Sequence, residues 1–89
     1  MAWTVEYAKP LRKVVKGLSS EDRKRVREFI DNRLATSEDP RRLGRKLAGS
    51  RFGDAYRFRV GQVRIIAEIR DAELVILVVR IAQRGGVYG

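Results

Sequence analysis

The chain has no histidine, no cysteine, one methionine, one tryptophan and two prolines in 89 residues. Each shortage closes a route. Without cysteine there is no disulfide framework and no thiolate metal site. Without histidine as well, a zinc site would rest on carboxylates alone, against that ion's preference for nitrogen and sulfur, so neither a metal nor a cofactor is expected. The commonest general acid and base is also missing, and any catalysis must run on Lys, Arg, Tyr, Asp or Glu. Long apolar runs are absent too. The stretch Leu74 to Val79 is far too short to span a bilayer, and the N-terminus lacks a signal-peptide core. The expectation is a soluble cytoplasmic protein with no membrane partner, a single domain over residues 1–89. A chain of this size buries roughly 60% of the surface its unfolded form exposes, enough for one modest core.

Positive charge, by contrast, is abundant. Lys and Arg number 20 against 11 Asp and Glu, a formal net charge of +9. That balance favours a polyanionic partner, nucleic acid or an acidic protein segment; its plain counterpart is charge for solubility. Arginine outnumbers lysine, and guanidinium is the better bidentate phosphate ligand.

The charge is most ordered between Asp54 and Ile69. Tyr56, Phe58 and Val60 alternate with Arg57 and Arg59, and Val63, Ile65, Ala67 and Ile69 alternate with Arg64, Ile66 and Glu68. Successive side chains of a strand point to opposite faces. With Gly61 and Gln62 as a two-residue turn, Val60 stands opposite Val63 and Arg59 opposite Arg64. Gly at the first turn position suits type II′, which needs a positive φ there. The apolar rows then coincide, and Arg57, Arg59 and Arg64 gather on the other face. Facing like charges repel, so this is either an ordinary solvated face or an anion cradle.

The rest of the chain supplies the frame. Trp3, Val5 and Tyr7 alternate with Thr4 and Glu6, which reads as a short strand with Trp3 as a core aromatic. Leu11, Val14, Val15 and Leu18 form one helical stripe, with Pro10 in the first turn. Ser19 and Asp22 make a short-armed capping box for a second helix running to about Leu34, with Val26, Phe29, Ile30 and Leu34 on its buried side. The basic outer residues of this helix, Arg23 among them, read as a solvated face. Thr36 to Pro40 reads as a loop, Arg41 to Leu47 as one helical turn anchored by Leu43 and Leu47, and Gly49 and Gly53 bracket the entry to the hairpin. Leu74 to Ile81 is apolar on both faces apart from Arg80, as in a strand lying centrally or covered on both sides. A three-residue loop at Asp71 to Glu73 puts Arg80 on the arginine face; a two-residue loop puts it on the core face. The predicted fold is α+β: strand, helix, helix and a three-strand antiparallel meander, the helix hairpin on one sheet face and the other face open and basic.

Taken in order, Pro40, Leu47, Gly49, Gly53, Tyr56-Arg57-Phe58-Arg59-Val60-Gly61, Val63-Arg64-Ile65-Ile66, Arg84 and Val87-Tyr88 resemble the RelE/ParE toxin superfamily of bacterial toxin–antitoxin systems, most closely its RelE branch. The resemblance covers nearly the whole chain. It implies a compact microbial RNase-like fold and a ribosome-dependent endoribonuclease that cuts mRNA in the ribosomal A site. It also implies a cognate acidic RelB-like antitoxin that masks the toxin, and operator DNA bound indirectly through that antitoxin. By position, the resemblance makes Arg64, Arg84 and Tyr88 the catalytic candidates and Arg57 and Arg59 the RNA-phosphate contacts; Glu68, Gln83 and Arg80 are secondary candidates. Two positions depart from the pattern. RelE has lysines where this chain has Arg57 and Arg59, and many relatives have histidine where it has Gln83. Arginine cannot be deprotonated in a protein, so Arg57 and Arg59 can neutralise charge but not accept a proton, which leaves Tyr88, Glu68 or a ribosomal group as base. The alternatives are a ParE-like gyrase poison and a catalytically degenerate relative kept as a binding or regulatory module.

Overall fold

A computed structural model describes residues 3–47 and 55–83, the last of them, Gln83, in its backbone only. Its strands are β1 (Thr4–Tyr7), β2 (Arg45–Lys46), β3 (Ala55–Val60), β4 (Val63–Arg70) and β5 (Val75–Gln83), and its helices α1 (Leu11–Gly17) and α2 (Ser20–Phe29). The five strands form one sheet in the order β1-β5-β4-β3-β2. β3, β4 and β5 are the expected antiparallel meander, whereas β1 joins the far side of β5 in parallel, Thr4 beside Val75 and Tyr7 beside Val78. β5 is thus an interior strand, which explains why its sequence is apolar on both faces.

Both helices pack on one face. Leu11 and Leu18 of the first hairpin arm, and Val26, Phe29, Ile30 and Leu34 of the second, are buried against Phe58, Val63, Ile65, Ala67, Ile69, Ile76, Val78 and Ile81. The Ser19 hydroxyl accepts the Asp22 N–H at 3.1 Å and caps α2. Beyond Phe29 the helix continues to Leu34 as a π turn, the Ala35 N–H reaching back five residues to the Ile30 carbonyl at 2.9 Å. Trp3 is buried, its indole N–H donating to the Ser37 carbonyl at 3.1 Å. Tyr7, which alternation places on the same strand face, is 46% exposed, β1 being an edge strand of the sheet. No described helix is long and apolar enough to cross a membrane.

Three local expectations need correction. The helical turn read over Arg41 to Leu47 is a 3-10 turn at Pro40–Leu43, and Arg45 and Lys46 instead form β2 against Arg57 and Tyr56. Gly44 permits the change of direction: a Cβ there would lie 2.7 and 2.8 Å from the Phe58 ring and collide with the Arg57 carbonyl. The second correction concerns Pro40, which opens that turn, with the Asp39 carboxylate accepting the Arg41 N–H. The third concerns the β4–β5 connection. Arg70 pairs with Val75, so the loop holds four residues, closing on Leu74 at φ 53° and ψ 44°.

Candidate functional site

An even-numbered loop alone would carry Arg80 to the core face. It does not arrive there, because the register slips once: Ala67 pairs with Val78 but Ile66 with Arg80. Val79 is the extra residue of a β-bulge, and bulges re-aim the side chains that follow them. Arg80 therefore joins the arginine face by a route other than the three-residue loop that parity required.

The hairpin itself follows the sequence reading. Val60 stands opposite Val63 and Arg59 opposite Arg64, and Gly61 has φ 58°. Two rows of side chains result on the face without helices. One runs Arg45, Arg57, Ile66, Arg80 across four strands; the next runs Arg59, Arg64, Ala82. Directly opposed residues sit about 5 Å apart, so Arg45 meets Arg57 and Arg59 meets Arg64 at that distance. Arg57 and Arg80 are two strand spacings apart, roughly 10 Å, with the half-buried Ile66 between them.

Arg45, Arg57, Arg59 and Arg64 are exposed and Arg80 half-buried, and none of the five forms an ion pair with a described carboxylate. Guanidinium stays charged at any workable pH, so their mutual repulsion is permanent. Glu68, on the same face, is drawn to Arg70 at 3.4 Å, in the salt-bridge role its sequence position admits. Arg45 was not legible as part of this group, because two residues after a glycine carry no alternation from which a strand could be read. Arg84, Tyr88, Gly49 and Gly53 lie outside the described residues, as does the side chain of Gln83.

Chemically, such a face offers guanidinium forks for phosphate oxygens and one apolar step, Ile66, for a base or sugar between them. The fixed charges would stabilise negative charge that builds on a phosphoryl group.

A second surface lies at the opposite edge. Between β1 and the helix hairpin runs a groove of about 1190 Å³, floored by Val5, Leu11, Val15 and Val26. Arg12 and Arg27 stand among its cations, and Arg23 is half-buried there, its Nε buried without a protein partner. Arg23 is thus less solvated than its sequence position implied. Burial, and next the nearby Asp31 charge, push the Tyr7 phenol above its ordinary value. The outer edge of β1 pairs with no described strand.

Comparison with known proteins bears on both surfaces. A family model described as the ParE toxin of the type II toxin–antitoxin system parDE matches residues 1–88. Among solved structures, the archaeal RelE–RelB complex of Pyrococcus horikoshii matches at TM-score 0.77 and 30% identity, covering 98% of this chain and 100% of that one. The toxin–antitoxin complex RelBE2 of Mycobacterium tuberculosis matches at 0.82 and 22% identity, covering 97% and 95%. The isolated RelE toxin of E. coli matches at 0.74 and 17%, covering 97% and 88%. No curated protein matches the sequence.

Proposed function

We propose that this chain, which belongs to the RelE/ParE family of type II toxin–antitoxin toxins, is a ribosome-dependent endoribonuclease that cuts mRNA in the A site. The observation that carries this reading is the set of five arginines on the open face, four of them opposed in two pairs, unmatched by any described carboxylate. A fold gains nothing in stability from that arrangement, whereas an RNA strand supplies the missing negative charge.

In the proposed reaction the ribose 2′-oxygen attacks the adjacent phosphorus and the P–O5′ bond breaks. The products are a 2′,3′-cyclic phosphate and a 5′-hydroxyl. Arg57 and Arg59 hold backbone phosphates. Arg64, with Arg84, clamps the phosphoryl oxygens as charge grows on them. Arg80 and Arg45 extend the grip to the neighbouring phosphates. The proton leaving the 2′-hydroxyl needs an acceptor that no arginine provides. Glu68 is tied to Arg70, so Tyr88 or a group of the ribosome takes that part, and O5′ takes a proton from water as it leaves.

The partner protein is an antitoxin, as in the RelE–RelB relatives. Its toxin-binding segment is acidic and amphipathic. The groove beside β1 suits such a segment: an apolar floor, a cationic rim, an unsatisfied guanidinium N–H and a free strand edge. Induced expression tests the enzyme reading. Growth arrest with mRNA cut inside codons on translating ribosomes, relieved by the antitoxin, is the expected result; continued protein synthesis with intact mRNA defeats it.

One observation favours a second reading. The family model that spans residues 1–88 is the ParE one, and the acid–base groups of RelE are replaced here by Arg57, Arg59 and Gln83. A gyrase poison would induce the DNA-damage response while leaving mRNA whole.

A further inference from the structure

The arginine field continues past the sheet. β2 pairs with β3 only at Tyr56 and Arg57, so from Phe58 onward no described strand lies on the outer edge of β3. A cavity of about 460 Å³ opens there, where the hairpin turn meets the second half of α2 and the π turn. Arg59 lines it from the sheet, Arg25 and Arg33 line it from the helix, and Asn32 adds an amide over a floor of Phe29 and Val60.

Two interactions hold the helix cations in place. The Arg33 guanidinium carbon sits 5.8 Å over the Phe29 ring, a cation–π arrangement that orders the side chain without consuming its hydrogen-bond donors. Arg25 donates through Nη2 to Glu21 at 2.6 Å. Its Nη1 lies beside the turn, 3.4 Å from where a Cβ on Gly61 would stand. Glycine at position 61 supplies the turn's positive φ, and the Arg25 guanidinium rests in van der Waals range of that turn. Against the three guanidinium groups of the lining stands one carboxylate, Glu28. Fixed forks, an amide donor and an apolar floor are the chemistry that takes a phosphodiester with its sugar.

We infer that this cavity is a second phosphate-binding site, built from Arg25, Arg33 and Arg59, that holds an RNA phosphodiester other than those on the sheet face. The inference rests on the RNA reading of the open face. The phosphodiester comes either from the substrate strand as it passes over Arg59 or from structured RNA beside it.

Salt dependence tests it, because each phosphate that is no longer neutralised lowers the slope of log K against log salt by about 0.7 to 0.9. The full chain carrying Arg64→Ala, which slows cleavage, is titrated between about 50 and 200 mM KCl against two probes, with RNA integrity checked at the end of each titration. One is a short single-stranded RNA; the other is purified ribosomes programmed with it. Adding Arg25→Gln with Arg33→Gln is expected to reduce the slope by about 0.7 to 0.9, with Arg33→Lys in place of Arg33→Gln restoring part of that slope. A reduction with both probes assigns the site to the substrate strand, and a reduction with ribosomes alone assigns it to neighbouring RNA. Slopes equal to those of Lys13→Gln with Lys24→Gln, in protein of unchanged melting temperature, overturn the second site. That result is distinct from failure of the open-face reading, which appears as Arg64→Ala cleaving mRNA at the native rate.

Discussion

Arg80 lies opposite Ile66 because Val79 is an extra residue in β5. Were Val79 paired in the ladder instead, the register set by Ala67 and Val78 would place Arg80 opposite Ile65, which is fully buried beneath the helices. The looping-out of Val79 thus separates an arginine on the open face from a charge in the core. Deleting Val79 is expected to leave a folded, soluble protein, since Arg80 would then follow Val78 directly and keep its place opposite Ile66, whereas inserting one residue after Val79 without a second bulge would turn the following side chains over. Arg80→Ala should stay folded, with stability changed by no more than about 0.5 kcal/mol. A deletion protein that fails to express in soluble form would contradict Val79 being the residue outside the ladder.

The opposed arginines link activity and stability in opposite directions. Arg64→Ala, Arg57→Ala and Arg84→Ala should each slow cleavage by the loss of a charge-assisted hydrogen bond, about 1.5–3 kcal/mol, roughly ten- to a hundredfold. Lys13→Ala on α1 should change it little. Meanwhile Arg59→Ala and Arg64→Ala should raise the melting temperature, because each relieves a facing like charge. Equal losses of activity at Lys13 and Arg64 would indicate bulk charge and no site.

Asp71 ties the β4–β5 loop to the turn at Pro40. Arg41 donates to its two oxygens at 2.9 and 2.5 Å. Those hydrogen bonds, ahead of other influences, hold the Asp71 carboxyl below its ordinary value. A depressed carboxyl contributes stability above its unfolded pKa and loses it as pH falls through the folded one. Melting curves of the native protein and Asp71→Asn should therefore differ at neutral pH and converge on acidification below the usual carboxylate range. A gap that persists in acid contradicts this.

Gly44→Ala should cost about 1–3 kcal/mol, measured by urea unfolding. The added methyl group meets the ring of Phe58, which is fully buried and cannot yield. The relief for the chain is to detach β2, which would carry Arg45 away from Arg57.

Leu74 holds a left-handed conformation that costs an ordinary side chain roughly 1–2 kcal/mol, and it is 36% exposed. Leu74→Asn, which tolerates that conformation, should raise the melting temperature, while the β-branched Leu74→Val should lower it.

Much of this was legible in the sequence, for identifiable reasons. Period-two alternation set the hairpin, and the Gly61-Gln62 turn fixed its register, so Arg59 and Arg64 could be paired before any coordinates. The stripes Leu11 to Leu18 and Val26 to Leu34 set the helix hairpin and the face it covers. What could not be read was non-local. The parallel pairing of β1 with β5 leaves no local signal. β2 is two residues long and depends on the close approach of Gly44 to Phe58. The bulge at Val79 sits in an unbroken apolar run, where either face accepts the same side chains. Arg23 carries the polarity of a surface residue, and only the groove beside β1 brings it under cover.

The pairing of Thr4–Tyr7 with Val75–Val78 also sets an order of events at birth. Of the described strands, β1 leaves a translating ribosome well before β5 and must wait for it before that edge can close. Closing so long a loop is slow and comes late. Until then Trp3 and the inner side of β5 lack their neighbours, and the arginine rows have no finished sheet to stand on. A protein whose proposed target is the translating ribosome would thus remain incompetent until β5 has emerged. A partner that seizes the groove beside β1 could meet it at the moment it becomes whole.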